Sequence, residues 1–344
     1  MRPVSPSDNG KGMTVALAAS TTMNDAESAG ARDRSAAETR QDKLFRLMLL
    51  SSATLVLVVL GAAALSMLWG GRLAFQTFGW RFIVSDEWDA VGRHFGAFVP
   101  IYGTLATSAI AMLMAVPVSF GIALFLTEIA PNWLQAPIAA AIELLAGIPS
   151  IIYGMWGLFS FVPFMADHVL PWINDHLGPV PWIGVLFRGP PLGIGMLTAG
   201  IVLAIMVIPF ISSVMRDVFR TVPASLRESA YALGSTTWEV VWKVVLPYTR
   251  SAVVGGIFLG LGRALGETMA VTFVLGNAHQ LSASLLMPGN SIAATIANEF
   301  TEADSDIYLS SLIALGFLLF VVTLIVLAIA RLMLSNLARR EGRR

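Results

Sequence analysis

Of the 344 residues, 56% are apolar and 13% charged, against roughly a quarter charged in an ordinary soluble domain. The composition excludes a water-soluble globular protein and describes an integral membrane protein. The formal net charge of zero hides a segregation: seventeen of the 22 Lys and Arg lie before Leu47, between Arg216 and Arg250, or after Ala330, which assigns those three regions to the cytoplasm.

Residues 1–43 are rich in Ala, Ser, Thr and charge and have no apolar periodicity; they are expected to be a disordered cytoplasmic tail. The first apolar run begins near Leu47, lasts to about Trp69 and has no small-residue cleavage pattern behind it, so it reads as a true span and not a signal peptide. Apolar windows of about 20 residues give six spans, near 47–69, 99–127, 136–161, 192–215, 249–276 and 307–331. The expected fold is all-α and polytopic. An even count returns the C-terminus to the side of the N-terminus, and both ends are basic (Arg40, Lys43, Arg46; Arg339, Arg340, Arg343, Arg344), so both are expected in the cytoplasm. The chain then divides into the tail, a first span with its external loop over 44–98, a core of spans over 99–335 that includes a cytoplasmic loop at 216–250, and a basic tail at 336–344.

Three loops fall outside, around 70–98, 162–191 and 277–306. Trp69, Trp80, Trp88, Trp172 and Trp182 lie at or beyond the span ends there, as interfacial anchoring requires. The third loop has no Lys or Arg and carries Glu299, Glu302, Asp304 and Asp306. The four His, at 94, 168, 176 and 279, show no metal-ligand spacing, and there is no Cys.

Three stretches carry the functional signal. Gly147-Ile-Pro-Ser150 should interrupt the third span, because Pro149 lacks an amide donor and disfavours helix at Ile148; backbone groups freed near Ser150 either face a pore or belong to a simple kink. The 216–250 loop reads as two short amphipathic helices broken at Gly234, which can take the positive φ of a tight turn, with Pro247 opening the next span. In the fifth span, Arg263 lies about 20 Å of helical rise beyond Arg250, near the bilayer middle. Glu267, four residues on, shares its face of a continuous helix. An ionisable residue at that depth normally has a partner and a function. Either the pair handles an anion, for which the planar guanidinium fork suits phosphate oxygens, or it is an internal salt bridge that braces the helices, with Glu267 or Glu143 neutralising Arg263. Gly256-x-x-x-Gly260 and Gly262-x-x-x-Gly266 permit close helix approach. No Gly-x-x-x-x-Gly-Lys-Ser/Thr stretch occurs, so the chain is not expected to cradle a nucleotide.

The spacing Glu228-Ser-Ala230, Gly234, Val244-x-Leu246-Pro247 resembles the EAA loop of bacterial ABC import permeases, with Ser229 replacing the family's Ala at similar size. Glu143-Leu-Leu-Ala-Gly-Ile-Pro-Ser150, Gly260-Leu-Gly-Arg-Ala-Leu-Gly-Glu-Thr268 and Ile296-Ala-Asn-Glu-Phe300 narrow the resemblance to the PstC-type permease of the phosphate importer. The resemblance implies a type I importer permease fold in the bacterial inner membrane and no catalytic residue or metal site. It further implies a loop whose Glu228, Ala230, Gly234, Leu246 and Pro247 dock on an ATPase, and a pathway or gate formed by Arg263, Glu267, Glu143 and Ser150. Its implied partners are a PstA-type companion permease, two copies of a PstB-type ATPase that hold ATP and Mg, a PstS-type phosphate-binding protein, inorganic phosphate and membrane lipid, without nucleic acid. Alternatives are a permease for sulfate or molybdate, or a secondary carrier coupled through Glu267; the latter calls for inverted halves, and no internal repeat is visible.

Overall fold

The computed structural model describes residues 42–341, with side chains as far as Met333. The expected tail at 1–43 lies outside the described residues apart from its last two, as do the side chains of the basic 336–344 segment. Five described helices are long and apolar enough to cross a membrane, or six when one sharply bent pair counts as a single span, which accords with the expected six.

Helix α1 (Asp42–Gly70) is exposed through Leu60 on every side, and the chain through Leu65 forms a unit of its own. From Ser66 onward the chain is one compact unit. It begins with two short helices, α2 (Arg72–Phe78) and α3 (Arg81–Val84), and a two-residue hairpin that pairs β1 (Trp88–Asp89) with β2 (His94–Phe95). Next come α4 (Phe98–Ile129), α5 (Asn132–Ala146), α6 (Ser150–Leu177), α7 (Met196–Arg220) and the short α8 (Ala224–Ala232). The last four are α9 (Thr237–Leu265), α10 (Met269–Leu275), α11 (Ile292–Glu299) and α12 (Asp306–Glu341).

Helix α7 is the axis of the unit. Ala199, Val202, Leu203, Val207, Ile211 and Met215 are fully buried along it. Helix α4 lies against it on a stripe of small residues at four-residue spacing, Thr107, Ala111, Ala115, Ser119 and Ala123, which brings the backbones close enough for Ser119 Oγ to donate to the Ile208 carbonyl at 3.1 Å. Gly256 and Gly260 place α9 on the same axis, facing Val214 and Ile211. Close packing of this kind is what holds helices together where lipid removes the hydrophobic drive.

The helices meet several prolines with one device, which carries them across Pro163, Pro171 and Pro247 and ends α4 ahead of Pro131. Ahead of Pro131, Pro163, Pro171 and Pro247 the residue before each proline donates its N–H five residues back: Ala130 to Phe125, Val162 to Gly157, Leu170 to Met165 and Leu246 to Val241. A proline ring crowds the carbonyl four residues earlier; a single wide turn displaces that carbonyl. Two expectations are corrected by this. The third span does not end near 161 where the external loop was expected to begin, because α6 runs on past Pro163 and Pro171 to Leu177. Pro247 does not open the fifth span, which is already helical from Thr237.

Candidate functional site

The 216–250 loop folds as a helical hairpin. At the end of α8, Gly234 takes φ +83°, with Ser235 N–H donating to the Ala230 carbonyl at 3.1 Å and Gly234 N–H to the Tyr231 carbonyl at 2.9 Å. This is a Schellman ending, which requires a left-handed residue at the position Gly234 occupies. Space does not dictate the glycine there, since a Cβ would meet nothing within 4 Å. The next helix starts with a capping box: Thr236 Oγ1 accepts from Glu239 N–H at 3.3 Å, and Glu239 Oε2 accepts from Thr236 N–H at 3.1 Å. No residue of α8 is buried, and Leu233 and Trp238 are 88% and 68% exposed. Glu228 is exposed, Ala230 half-buried against the core, Leu246 half-buried and Pro247 exposed. The hairpin is therefore rigid in itself and carries uncovered apolar side chains.

At the level of the membrane, two helix breaks come together. The expected interruption at Gly147–Pro149 separates α5 from α6, which bend by 88°. A second break lies where a continuous helix was expected: α9 stops at Leu265, and α10 begins at Met269. Glu267 Oε1 accepts from Ala270 N–H at 3.2 Å, which satisfies one of the donors left open at the start of a helix. The reading of Arg263 and Glu267 as neighbours on one continuous helical face is thereby corrected, because Gly266 ends the first helix between them and the carboxylate turns to the second.

The two breaks stand at one height. Gly154 of α6 faces the backbone of Met269 and Ala270, and Gly157 faces Val274; the segments run parallel, so Ser150 sits level with the Gly266–Thr268 break. Any side chain at Gly154 would meet the Met269 carbonyl oxygen at 2.7 Å. Arg263 lies at the end of α9 next to this level. Its side chain is exposed, and its guanidinium stands over the Phe210 ring at 5.5 Å. Among the described residues it makes no hydrogen bond or ion pair. Glu143, grouped with Arg263 from sequence, instead binds Arg216, with Oε1 accepting from Nη2 at 2.8 Å; Arg216 also holds Asp217 at 3.0 Å. No group of three or more metal-ligating side chains occurs among the described residues.

Residues 96–339 match the family model described as the binding-protein-dependent transport system inner membrane component. A phosphate transport system permease protein PstC of Xylella fastidiosa (strain 9a5c) is 65% identical over 305 residues, covering 89% of this chain and 94% of that protein. One of Pasteurella multocida is 56% identical over 301 residues, 88% and 94% of the two chains. The chain belongs to this permease family, in its PstC-type branch. Its fold is that of ABC importer permeases. A bacterial ABC transporter involved in the import of the acidic polysaccharide alginate superposes with TM-score 0.57 at 20% identity, over 86% of this chain and 96% of that one. The bacterial alginate transporter in complex with its alginate pentasaccharide-bound periplasmic protein gives 0.58 at 18%, over 87% and 96%.

The permease contains one cluster that sequence reasoning missed, at the end opposite the 216–250 loop. Glu299, in α11, has a side chain only 15% exposed. Its Oε2 accepts from Trp88 Nε1 at 2.8 Å and from Tyr308 OH at 2.6 Å, and its Oε1 stands 2.6 Å from His279 Nε2. The Trp88 ring stacks on His279 at 5.3 Å, and Phe95 stacks on Tyr308 at 5.0 Å. Burial raises the Glu299 carboxyl pKa, yet the hydrogen bonds from His279, Tyr308 and Trp88 outweigh it and hold the group below the usual carboxylate value. The signal available in sequence was an isolated His in an acidic loop; the three partners of Glu299 come from three separate segments.

Proposed function

We propose that this chain is the permease subunit of an ATP-driven phosphate importer and forms the translocation pathway with a PstA-type companion. The observation that carries the reading is Arg263: a permanent charge inside an apolar span, exposed on the surface of the single chain, without a carboxylate partner among the described residues, at the level where two helices break. A guanidinium left uncompensated in a membrane needs an anion or a second protein surface to face, and its fork geometry matches phosphate oxygens. The names of the PstC relatives supply the substrate. Glu267 caps α10 and is committed to the backbone, which leaves Arg263 free to offset the desolvation of a passing phosphate. Glu143, bound to Arg216, belongs to the frame around the pathway.

The exposed Leu233 and Trp238 of the helical hairpin suit the groove of an ATPase subunit, one on this chain and one on the companion, where ATP and Mg are held. Glu228, Ala230 and Gly234 orient that contact. The basic ends and the 216–250 loop face the cytoplasm, and the Glu299 end faces the binding protein. Reconstitution in proteoliposomes tests the whole reading. Phosphate uptake should require this chain, the companion, the ATPase, ATP and the binding protein together, and excess sulfate or molybdate should not compete. Uptake driven by an ion gradient without ATPase would overturn it.

A further inference from the structure

The second arm of the helical hairpin is the buried start of α9, whereas its first arm, α8, reaches α4 through a charge pair. Glu128 stands in the wide turn at the end of α4, with a side chain 4% exposed, and its Oε1 lies 3.2 Å from Nη2 of Arg227, 20% exposed, in the middle of α8. The same Nη2 donates to the Phe219 carbonyl of α7 at 2.5 Å. Arg227 thus touches the ends of two long helices at once. None of the residues of α8 is buried; besides this pair it rests on the half-buried Ala230 against the core and on the start of α9. A displacement of α8 is therefore delivered to α4 and α7 through this guanidinium. The pair is also incomplete: Arg227 Nε and Glu128 Oε1 are both buried without a hydrogen-bond partner, so the ion pair is close but poorly aligned. Buried polar groups left unsatisfied are costly and call for an explanation.

We infer that Arg227 and Glu128 are a positioning pair that transmits movement of the α8 hairpin to the membrane helices, and that their hydrogen bonding is completed in a second arrangement of the transport cycle. This rests on the reading that the hairpin engages the ATPase. Removing one partner of a buried pair leaves the other charge stranded, so the link should fail while the exposed docking surface, made of other residues, stays intact.

The test uses the assembled importer in proteoliposomes, with phosphate uptake and ATP hydrolysis read on the same sample beside complex yield. Arg227→Gln and Glu128→Gln should assemble and hydrolyse ATP, while phosphate moved per ATP falls at least about fivefold, the low end of ordinary coupling between sites. The double variant, with no stranded charge, should assemble as well as the parent and stay uncoupled; Arg227→Lys, which keeps the charge, should recover part of the ratio. An unchanged ratio in both single variants, or losses that merely follow complex yield, would overturn the link. Gly234→Val separates that failure from failure of the docking reading: it strains the hairpin without touching the pair, so normal ATPase binding and uptake in this variant would remove the hairpin from coupling altogether.

Discussion

Arg263 and Glu299 are both charged side chains in an apolar protein, and the chain treats them in opposite ways. Glu299 is buried and accepts from Trp88, Tyr308 and His279, so its charge is satisfied inside the fold and joins the β1–β2 hairpin, α11, α12 and the loop before α11. Arg263 has a ring beside it and, among the described residues, no counter-charge. The difference separates a charge that holds structure from one that is kept for something outside the chain. Identity and depth alone do not make the distinction; the partners do.

The largest effect should follow from Arg263→Gln. Phosphate uptake in the reconstituted importer should fall at least about a hundredfold, within the range measured for losing a preorganised charge contact, with complex yield unchanged. The swap Arg263→Glu with Glu267→Arg should fail to restore uptake, since the two side chains are not paired, and full uptake by the swapped variant would erase the contrast. Glu299→Gln should behave in the other way. Its cost falls on stability, about 1.5–3 kcal/mol for hydrogen bonds to a charged group, read as an earlier thermal transition of the purified complex, and uptake per assembled complex should persist. A smaller step is Trp88→Phe, which keeps the ring against His279 but removes one donor, at about 1 kcal/mol.

The smallest effect concerns pH. Because the folded carboxyl of Glu299 has a depressed pKa, the unfolded chain takes up its proton first on acidification, near the ordinary value of about 4.3. Its stabilisation is therefore full above that value and is lost as pH falls through the lower folded one. Melting curves of parent and Glu299→Gln should differ at neutral pH and converge in acid; a constant difference would show that the carboxylate charge contributes nothing.

Much of this architecture was legible in the sequence. Apolar windows locate the spans, Pro149 marks the break after α5, and Gly234 announces the hairpin, because each of these is a local property of one segment. The break at Gly266–Thr268 was not legible: the apolar run continues through it, and Glu267 at four residues from Arg263 fits a helical pair as well as it fits a cap. The expected loop at 162–191 starts too early, since wide turns ahead of Pro163 and Pro171 keep the helix going to Leu177. The Glu143–Arg216 and Glu128–Arg227 pairs, and the Glu299 cluster, join positions tens to hundreds of residues apart, for which spacing carries no information.

The parallel contact of Gly154 with Met269–Ala270 has a mechanical reading. Two rods jointed at the same height share one axle, and bodies that pivot on an axle move most at their far ends and least beside it. The segments on the basic side of the Gly147–Pro149 and Gly266–Thr268 joints can swing against the segments on the other side without dragging the joint itself. Arg263 sits next to that fulcrum, so the anion that the proposed function assigns to it would be held where such a movement is smallest.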